Sequence, residues 1–167
     1  MSTIQPFTIS RIFNAPRELV FKANTEPEHL AKWYGPEGTT VIKAEMDLRP
    51  GGIHHYGLRT PDGQEMWGKQ VYREIVAPEK LVFVQSFSDK DGGVTRHPMA
   101  ATWPLEMLAT TTFEDLGDGR TKMSITWMPI NASDEENKTF DGAREGMVGG
   151  FKGTFEKLDA YLASVSR

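Results

Sequence analysis

The sequence of residues 133–162, SDEENKTFDGAREGMVGGFKGTFEKLDAYL, decides the fold that we predict for this chain. Ser133 followed three residues later by Glu136 is a capping box, and the acidic residues after Ser133 suit the positive end of a helix dipole. At about 100° per residue, six large apolar side chains share one stripe. They are Phe140, Met147, Phe151, Phe155, Leu158 and Leu162. This spacing predicts one long C-terminal helix over residues 133–162.

The same segment contains five glycines, mostly opposite the apolar stripe: Gly142, Gly146, Gly149, Gly150 and Gly153. Each glycine inside a helix costs roughly 1 kcal/mol relative to alanine, so about 5 kcal/mol of helix propensity is missing. Burial of the six apolar side chains returns on the order of 10 kcal/mol. We therefore expect a helix that forms only when docked. Its glycine face is either the seam of a homodimer, a bend around a cavity, or a tolerated weakness.

Composition and charge exclude several classes of function. The 167 residues predict one domain over 1–167. A net charge of −4 predicts no nucleic-acid partner and no membrane partner. The absence of cysteine excludes disulfides, thiolate metal sites and cysteine nucleophiles. No apolar run approaches the roughly 18 residues of a membrane span and no export signal begins the chain, so we expect a cytoplasmic protein.

Alternating apolar and polar residues before the long helix predict a succession of strands. The first covers 7–13, where Arg11 lies on the apolar side and is therefore expected to have a carboxylate partner. Two short helices follow, one near 16–23 and one opened by a capping box of Thr25 and Glu28. Further strands are predicted over 41–48, 53–59, 65–76, 81–87, 105–113 and 121–127.

Short turns between these strands predict an antiparallel sheet with one apolar face, which needs a cover. We predict an α+β fold in which a curved antiparallel sheet of about six to seven strands wraps around the long C-terminal helix. The two short helices follow the first strand.

Several short segments, taken in order, carry a resemblance to a known family. They are APRELVF at 15–21, TEPEHL at 25–30, WYGP at 33–36, DLRPGG at 47–52, PDG at 61–63, APEKLVF at 77–83, TFED at 112–115 and GFKGTFEKLDAYL at 150–162. Together they resemble bacterial proteins related to the activator of the heat-shock-protein ATPase, the AHSA-like family. Phe151 stands where that family's final helix is expected to have Trp.

This resemblance implies the helix-grip fold of the START-like, or SRPBCC, superfamily, in which the long helix closes a cavity against the concave face of the sheet. Superfamily relatives bind lipids, sterols, hormones and polyketides, and some are cyclases or aromatases. The first functional hypothesis is therefore binding of a small hydrophobic or amphipathic molecule without a cofactor. One alternative is a cyclase- or hydrolase-type enzyme using His54, and another is a co-chaperone-like modulator of a heat-shock ATPase.

Inward-facing side chains are the candidate ligand contacts. They are Trp33, His54, Tyr56, Phe83, Gln85, Phe87, Met107, Trp127, Met147 and Phe151. Gln85 lies on an apolar face and needs a partner, which could be a ligand, His54 or the backbone. His54 is either a hydrogen-bonded core residue, a group that orients a ligand, or a general acid or base. His54 and His55 point to opposite faces of their strand, and His29 and His97 lie elsewhere, so we predict no metal site.

Residues 88–104 interrupt the strand pattern, and loops of that length are typical of functional or mobile segments. One interpretation is a lid over the cavity mouth, with His97, Met99 and Trp103 as its contacting side chains. The other is a surface excursion held in place by Trp103.

Overall fold

The computed structural model describes residues 4–36, 38–97 and 100–165, so the predicted lid residue Met99 lies outside the described residues. Twelve elements are present in this part of the chain. In order they are β1 (Phe7–Phe13), α1 (Arg17–Thr25), α2 (Pro27–Trp33), β2 (Thr40–Met46), β3 (Ile53–Arg59), β4 (Glu65–Val76), β5 (Lys80–Ser88), β6 (Val94–Thr95), β7 (Glu106–Gly117), β8 (Arg120–Ile130), α3 (Asp134–Gly142) and α4 (Arg144–Val165).

All pairs of neighbouring strands are antiparallel, and the sheet runs in the order β1-β8-β7-β5-β4-β3-β2, with β6 added to β5. The two border strands, β1 and β2, are consecutive in sequence and are joined through α1 and α2. The curved sheet receives α4 on its apolar face, where Phe155, Leu158 and Leu162 are buried in the main core. The predicted helix-grip fold is therefore confirmed.

The C-terminal segment is two helices rather than the one that the sequence predicts. The capping box is confirmed: the Glu136 amide donates to Ser133 Oγ at 3.1 Å, and the Ser133 amide donates to Glu136 Oε1 at 2.9 Å. However, α3 ends at Gly142, and Ala143 leaves the helical region with φ −96° and ψ 2°. The Ala143 amide donates back to the Phe140 carbonyl at 3.1 Å, a tight turn that precedes α4.

This break lets the two helices cover two separate apolar clusters. Phe140 of α3 is fully buried with Phe7 and Met107, whereas the C-terminal half of α4 packs into the main core. The low helix propensity of Gly142 favours the interruption at this point. Four of the five glycines, Gly142, Gly146, Gly149 and Gly150, are exposed, and an added Cβ would meet nothing within 4 Å. The homodimer seam stays a prediction.

The capping box predicted from Thr25 and Glu28 is wrong. The Thr25 hydroxyl donates to the Phe21 carbonyl at 2.8 Å, so its side chain closes α1 instead of opening α2. Glu26 is the N-cap of α2 and makes no side-chain cap bond, and Pro27 occupies the first turn. Proline suits this position because an N–H group in the first turn of a helix has no intrahelical acceptor. The absence of an N–H in proline therefore costs no hydrogen bond.

Arg11, the charged residue on the apolar side of the first strand, has a carboxylate partner as predicted. Arg11 Nη2 donates to Asp159 Oδ2 of α4 at 3.2 Å, and both side chains are partly exposed. The pair therefore joins the edge strand β1 to the C-terminal helix.

No helix within the described residues is long and apolar enough to span a membrane.

Candidate functional site

A cavity of about 300 Å³ lies between α4 and the sheet. Strands β3, β4, β5, β7 and β8 supply its floor, and Met147, Gly150, Phe151 and Thr154 of α4 supply its roof. Seven of the ten predicted contact residues line it: Tyr56, Gln85, Phe87, Met107, Trp127, Met147 and Phe151. The predicted lid residues His97 and Trp103 also line it.

A second, deeper cavity of about 70 Å³ holds the other three predicted residues, Trp33, His54 and Phe83. The two cavities share one wall, because five residues line both of them. These are Tyr34, Gln85, Trp127, Phe151 and Thr154. The outer and inner cavities are therefore neighbouring compartments, with an apolar outer space and a smaller inner space that contains most of the polar side chains.

The described residues that line the two compartments carry no charged side chains. Among the described residues that line them there is no Asp, Glu, Lys or Arg. The polar lining consists of hydroxyls, amides and two histidines. A charged ligand group would lose its hydration without gaining a counterion, which is costly in an enclosed site.

Three polar side chains on adjacent strands form a hydrogen-bonded chain across the cavity floor. His54, Gln70 and Gln85 are directly opposed in register on β3, β4 and β5. His54 Nδ1 lies 2.9 Å from Gln70 Oε1, and Gln70 Nε2 donates to Gln85 Oε1 at 2.9 Å. The partner of Gln85 is therefore Gln70, and its own amide donates to the Tyr56 hydroxyl at 2.7 Å.

Burial lowers the pKa of His54 to about 4, despite the opposing effect of its hydrogen bond to Gln70. Desolvation disfavours the imidazolium, so the side chain is neutral at physiological pH. Its exposed fraction is 1%, and Nε2 has no hydrogen-bond partner among the described residues. His54 therefore lines the inner compartment and has a buried ring nitrogen without a hydrogen-bond partner among the described residues.

Two tyrosines complete the polar network from different elements. Tyr34, just after α2, accepts a hydrogen bond from Gln70 Nε2 at 2.9 Å, and its ring meets that of Tyr56 edge-on at 5.0 Å. Burial raises the pKa of both hydroxyls, so both remain protonated and neutral. Tyr34 was missed as a lining residue by the sequence analysis, which used it only as part of the WYGP segment at 33–36.

Two glycines make room for the aromatic rings on either face of β3 and β4. Gly68 lies opposite Tyr56, and a Cβ at Gly68 would overlap the Tyr56 phenol. Gly57 lies opposite Trp67, whose ring would be 2.7 Å from an added Cβ. The glycines allow each ring to lie flat across the neighbouring strand.

Trp33 has a structural role as well as lining the inner compartment. Its indole Nε1 donates to the Ala23 carbonyl at 2.8 Å, which ties α2 to α1. The loop that follows is held to α4, since Thr154 Oγ1 donates to the Gly35 carbonyl at 3.1 Å and Lys157 Nζ lies 3.3 Å from the same oxygen. These contacts hold the segment that contains Tyr34, one of the residues that line both compartments.

The segment 88–104 is partly regular rather than a plain loop. Asp89 Oδ1 accepts from the amides of Asp91 and Gly93, which forms a turn between β5 and β6. The segment is tied to α3 by an ion pair of Arg96 with Glu136 and by a hydrogen bond of 2.7 Å between Thr102 and Thr139 hydroxyls. A lid function stays a prediction.

Several lining residues were missed by the sequence analysis. They are Tyr34, Leu58, Met66, Trp67, Gln70, Pro104 and Thr154. A signal for Gln70 was available, because it lies on the same face of β4 as Gly68 and Tyr72, two residues apart along an alternating strand. Aligning β3 with β4 through their turn would have placed Gln70 opposite His54, but the pairing of Gln70 with Gln85 also depends on a β-bulge between Tyr72 and Glu74 that turn-based alignment does not reveal.

No group of three or more histidine and carboxylate side chains in the described segments could hold a metal ion.

A curved antiparallel sheet that holds a C-terminal helix, with two short helices after its first strand, defines the helix-grip class of the SRPBCC-like superfamily. The family model described as "Activator of Hsp90 ATPase homolog 1-like protein" matches residues 14–163. The chain belongs to this family, and the resemblance inferred from its sequence segments is confirmed.

Solved bacterial structures share this fold over almost the whole chain. A protein from Arthrobacter aurescens is 28% identical, with a TM-score of 0.76 and coverage of 95% of this chain and 86% of that one. A protein from Chromobacterium violaceum is 26% identical, with a TM-score of 0.70 and coverage of 93% and 96%. A protein from Nitrosomonas europaea is 21% identical, with a TM-score of 0.76 and coverage of 98% and 97%. No curated protein matches the chain.

Proposed function

We propose that this protein binds a small, uncharged, largely apolar molecule in the outer cavity between α4 and the sheet. The observation that carries the proposal is the combination of about 300 Å³ of space with a lining that has no charged side chain among the described residues. Concave sites lined by apolar and aromatic side chains with a few polar groups are typical of small-molecule sites.

The composition of the lining indicates what kind of molecule would fit. Phe87, Trp103, Trp127 and Phe151 offer aromatic faces, and Met107 and Met147 offer flexible thioethers. Methionine adapts to different ligand shapes, and aromatic rings stack on planar ligands. Apolar burial would supply the affinity at about 25 cal/mol per Å² of ligand surface, less the cost of ordering.

The test uses N-phenyl-1-naphthylamine, an uncharged dye that becomes fluorescent in apolar surroundings. Gly150 lines the cavity and has open space around its Cβ position, so Gly150→Leu would add an isobutyl group at a lining position without a clash at Cβ. Gly149 is also exposed, has open space around its own Cβ position and is not among the residues that line the cavity, so Gly149→Leu is the matched control. Both changes improve helix propensity by a similar amount.

The expected result is saturable dye binding to the wild type and to Gly149→Leu. For Gly150→Leu we expect a dissociation constant raised about tenfold, which corresponds to about 1.4 kcal/mol. Equal binding by both variants, or no binding by the wild type, would contradict the proposed site.

A further inference from the structure

We infer that the inner cavity selects ligands that carry a hydroxyl or N–H donor at their buried end, with Nε2 of His54 as the acceptor. The inference rests on the proposed function, because the body of the same ligand would occupy the outer cavity. It assigns a hydrogen-bonding role to the inner cavity and restricts the chemical class of the ligand.

The direction of the hydrogen bonds follows from Gln70. Both N–H bonds of its amide are engaged, one with the Tyr34 hydroxyl and one with Gln85 Oε1, each at 2.9 Å. The amide oxygen therefore faces His54 and can only accept. Nδ1 of His54 must carry the proton that is donated to this oxygen. The other ring nitrogen, Nε2, is then a lone-pair acceptor.

Nε2 of His54 is buried and has no partner among the described residues. Leaving a buried acceptor without a partner destabilises the protein, so a donor from outside the chain would be strongly favoured there. The inner cavity, at about 70 Å³, exceeds the roughly 10–15 Å³ that one water molecule needs. The inner cavity therefore has space for a small polar end of a ligand, and His54 is one of the residues that line it.

The chemistry of the lining limits that end to a neutral donor. No cationic side chain among the described lining residues could pair with a carboxylate, and the carboxylate would face the lone pair of His54. An ether or ketone in the same place would bring a second acceptor and leave Nε2 unpaired. An alcohol, a phenol or an N–H group satisfies the nitrogen without adding charge.

One end of the ligand would have to reach the inner cavity beside the residues that line both compartments. Trp127 and Phe151 line both cavities and so does Gln85. A planar ligand body in the outer cavity would pack against Trp127 and Phe151, whose rings contact each other, and would project one end past Gln85 toward His54. The donor therefore belongs at the inner end of the molecule.

The test compares 2-naphthol with 2-methoxynaphthalene, which has the same ring system but no donor, by calorimetry on the wild-type protein. We expect 2-naphthol to bind about tenfold more tightly, the upper range for one net hydrogen bond. In protein labelled with ¹⁵N-histidine, 2-naphthol should move the Nε2 resonance of His54 upfield without protonating the ring, and 2-methoxynaphthalene should not.

Equal affinities, or an Nε2 resonance that is already hydrogen-bonded to water and unaffected by 2-naphthol, would overturn the inference and leave the proposed function intact. Failure of both compounds to bind would overturn the proposed function together with the inference.

His54→Phe keeps a ring of similar size and should bring the two affinities within about twofold, because the acceptor is gone. A preference that survives in folded His54→Phe would overturn the role of His54. The wild-type comparison needs no variant and stands even if His54→Phe does not fold.

Discussion

The indole of Trp127 and the phenyl ring of Phe151 meet edge-to-face, with centroids 4.9 Å apart and planes at 71°. Trp127 lies on β8 and Phe151 on α4, so this contact is a point at which the helix holds the sheet. Both rings also line the outer and the inner cavity. One aromatic pair therefore contributes to stability and to the separation of the two compartments.

Replacing Phe151 with alanine should join the two cavities and destabilise the protein. Phe151 packs on Phe7, Trp127 and Phe155, with centroid distances of 5.9, 4.9 and 5.8 Å. We expect a loss of about 3–5 kcal/mol in the free energy of unfolding by urea, and a changed affinity for N-phenyl-1-naphthylamine.

The control for this substitution is Val148→Ala on the same helix. Val148 is 48% exposed, so its truncation should change the unfolding free energy by no more than about 0.5 kcal/mol. Unchanged dye affinity in a folded Phe151→Ala protein would argue against Phe151 as a lining residue.

His54 should make stability depend on pH between about 4 and 6.5. Its pKa is lowered from 6.5 to about 4 in the folded protein, so the unfolded chain binds more protons in this window. The stabilisation is fully present above pH 6.5 and is lost as the pH falls toward 4. The shift corresponds to about 3 kcal/mol.

Urea unfolding of the wild type and of His54→Phe across pH 4–7 would measure this contribution. The difference in slope between them isolates His54 from the carboxylates that also titrate there. His97→Asn, which alters a partly exposed histidine, should keep most of the wild-type slope. Parallel curves for the wild type and His54→Phe would show that His54 is not held neutral by burial.

Two glycine-to-alanine changes should have opposite effects on stability. In Gly68→Ala the new methyl would overlap the Tyr56 phenol and displace its hydroxyl from Gln85. Gly146 on α4 is exposed with nothing near its Cβ position, so Gly146→Ala should stabilise the protein by about 0.5–1 kcal/mol. Thermal unfolding should show a lower midpoint for Gly68→Ala and a higher one for Gly146→Ala. A stabilised Gly68→Ala would mean that the Tyr56 ring does not lie across β4.

Loss of the ion pair between Arg96 and Glu136 should speed ligand exit if residues 88–104 act as a lid. Arg96 is 53% exposed in its side chain, so Arg96→Gln should cost less than about 1 kcal/mol of stability. Stopped-flow dissociation of N-phenyl-1-naphthylamine should nevertheless be faster than in the wild type. Lys138→Gln on α3 removes one exposed positive charge and serves as the control. Equal dissociation rates in both variants would favour the surface excursion over the lid.

Local sequence patterns were sufficient for most of the architecture. Alternation along the chain predicts the strands, and Ser133 with Glu136 correctly predicts the start of the C-terminal helical segment. The charge of Arg11 on an apolar side predicts a carboxylate, which the structure identifies as Asp159. These features depend on neighbours within a few residues or on a simple rule about buried charge, and both can be read from one sequence.

Tertiary structure decided the parts that depend on distant segments meeting. Strand register, set by the turns and by a β-bulge between Tyr72 and Glu74 of β4, aligns His54, Gln70 and Gln85 into one chain of hydrogen bonds. The break at Ala143 depends on two apolar clusters that need separate helices, and the volume of each cavity is what packing leaves unfilled. Periodicity in the sequence assigns a side chain to a face, but a three-dimensional arrangement determines which side chains face each other and how much space remains between them.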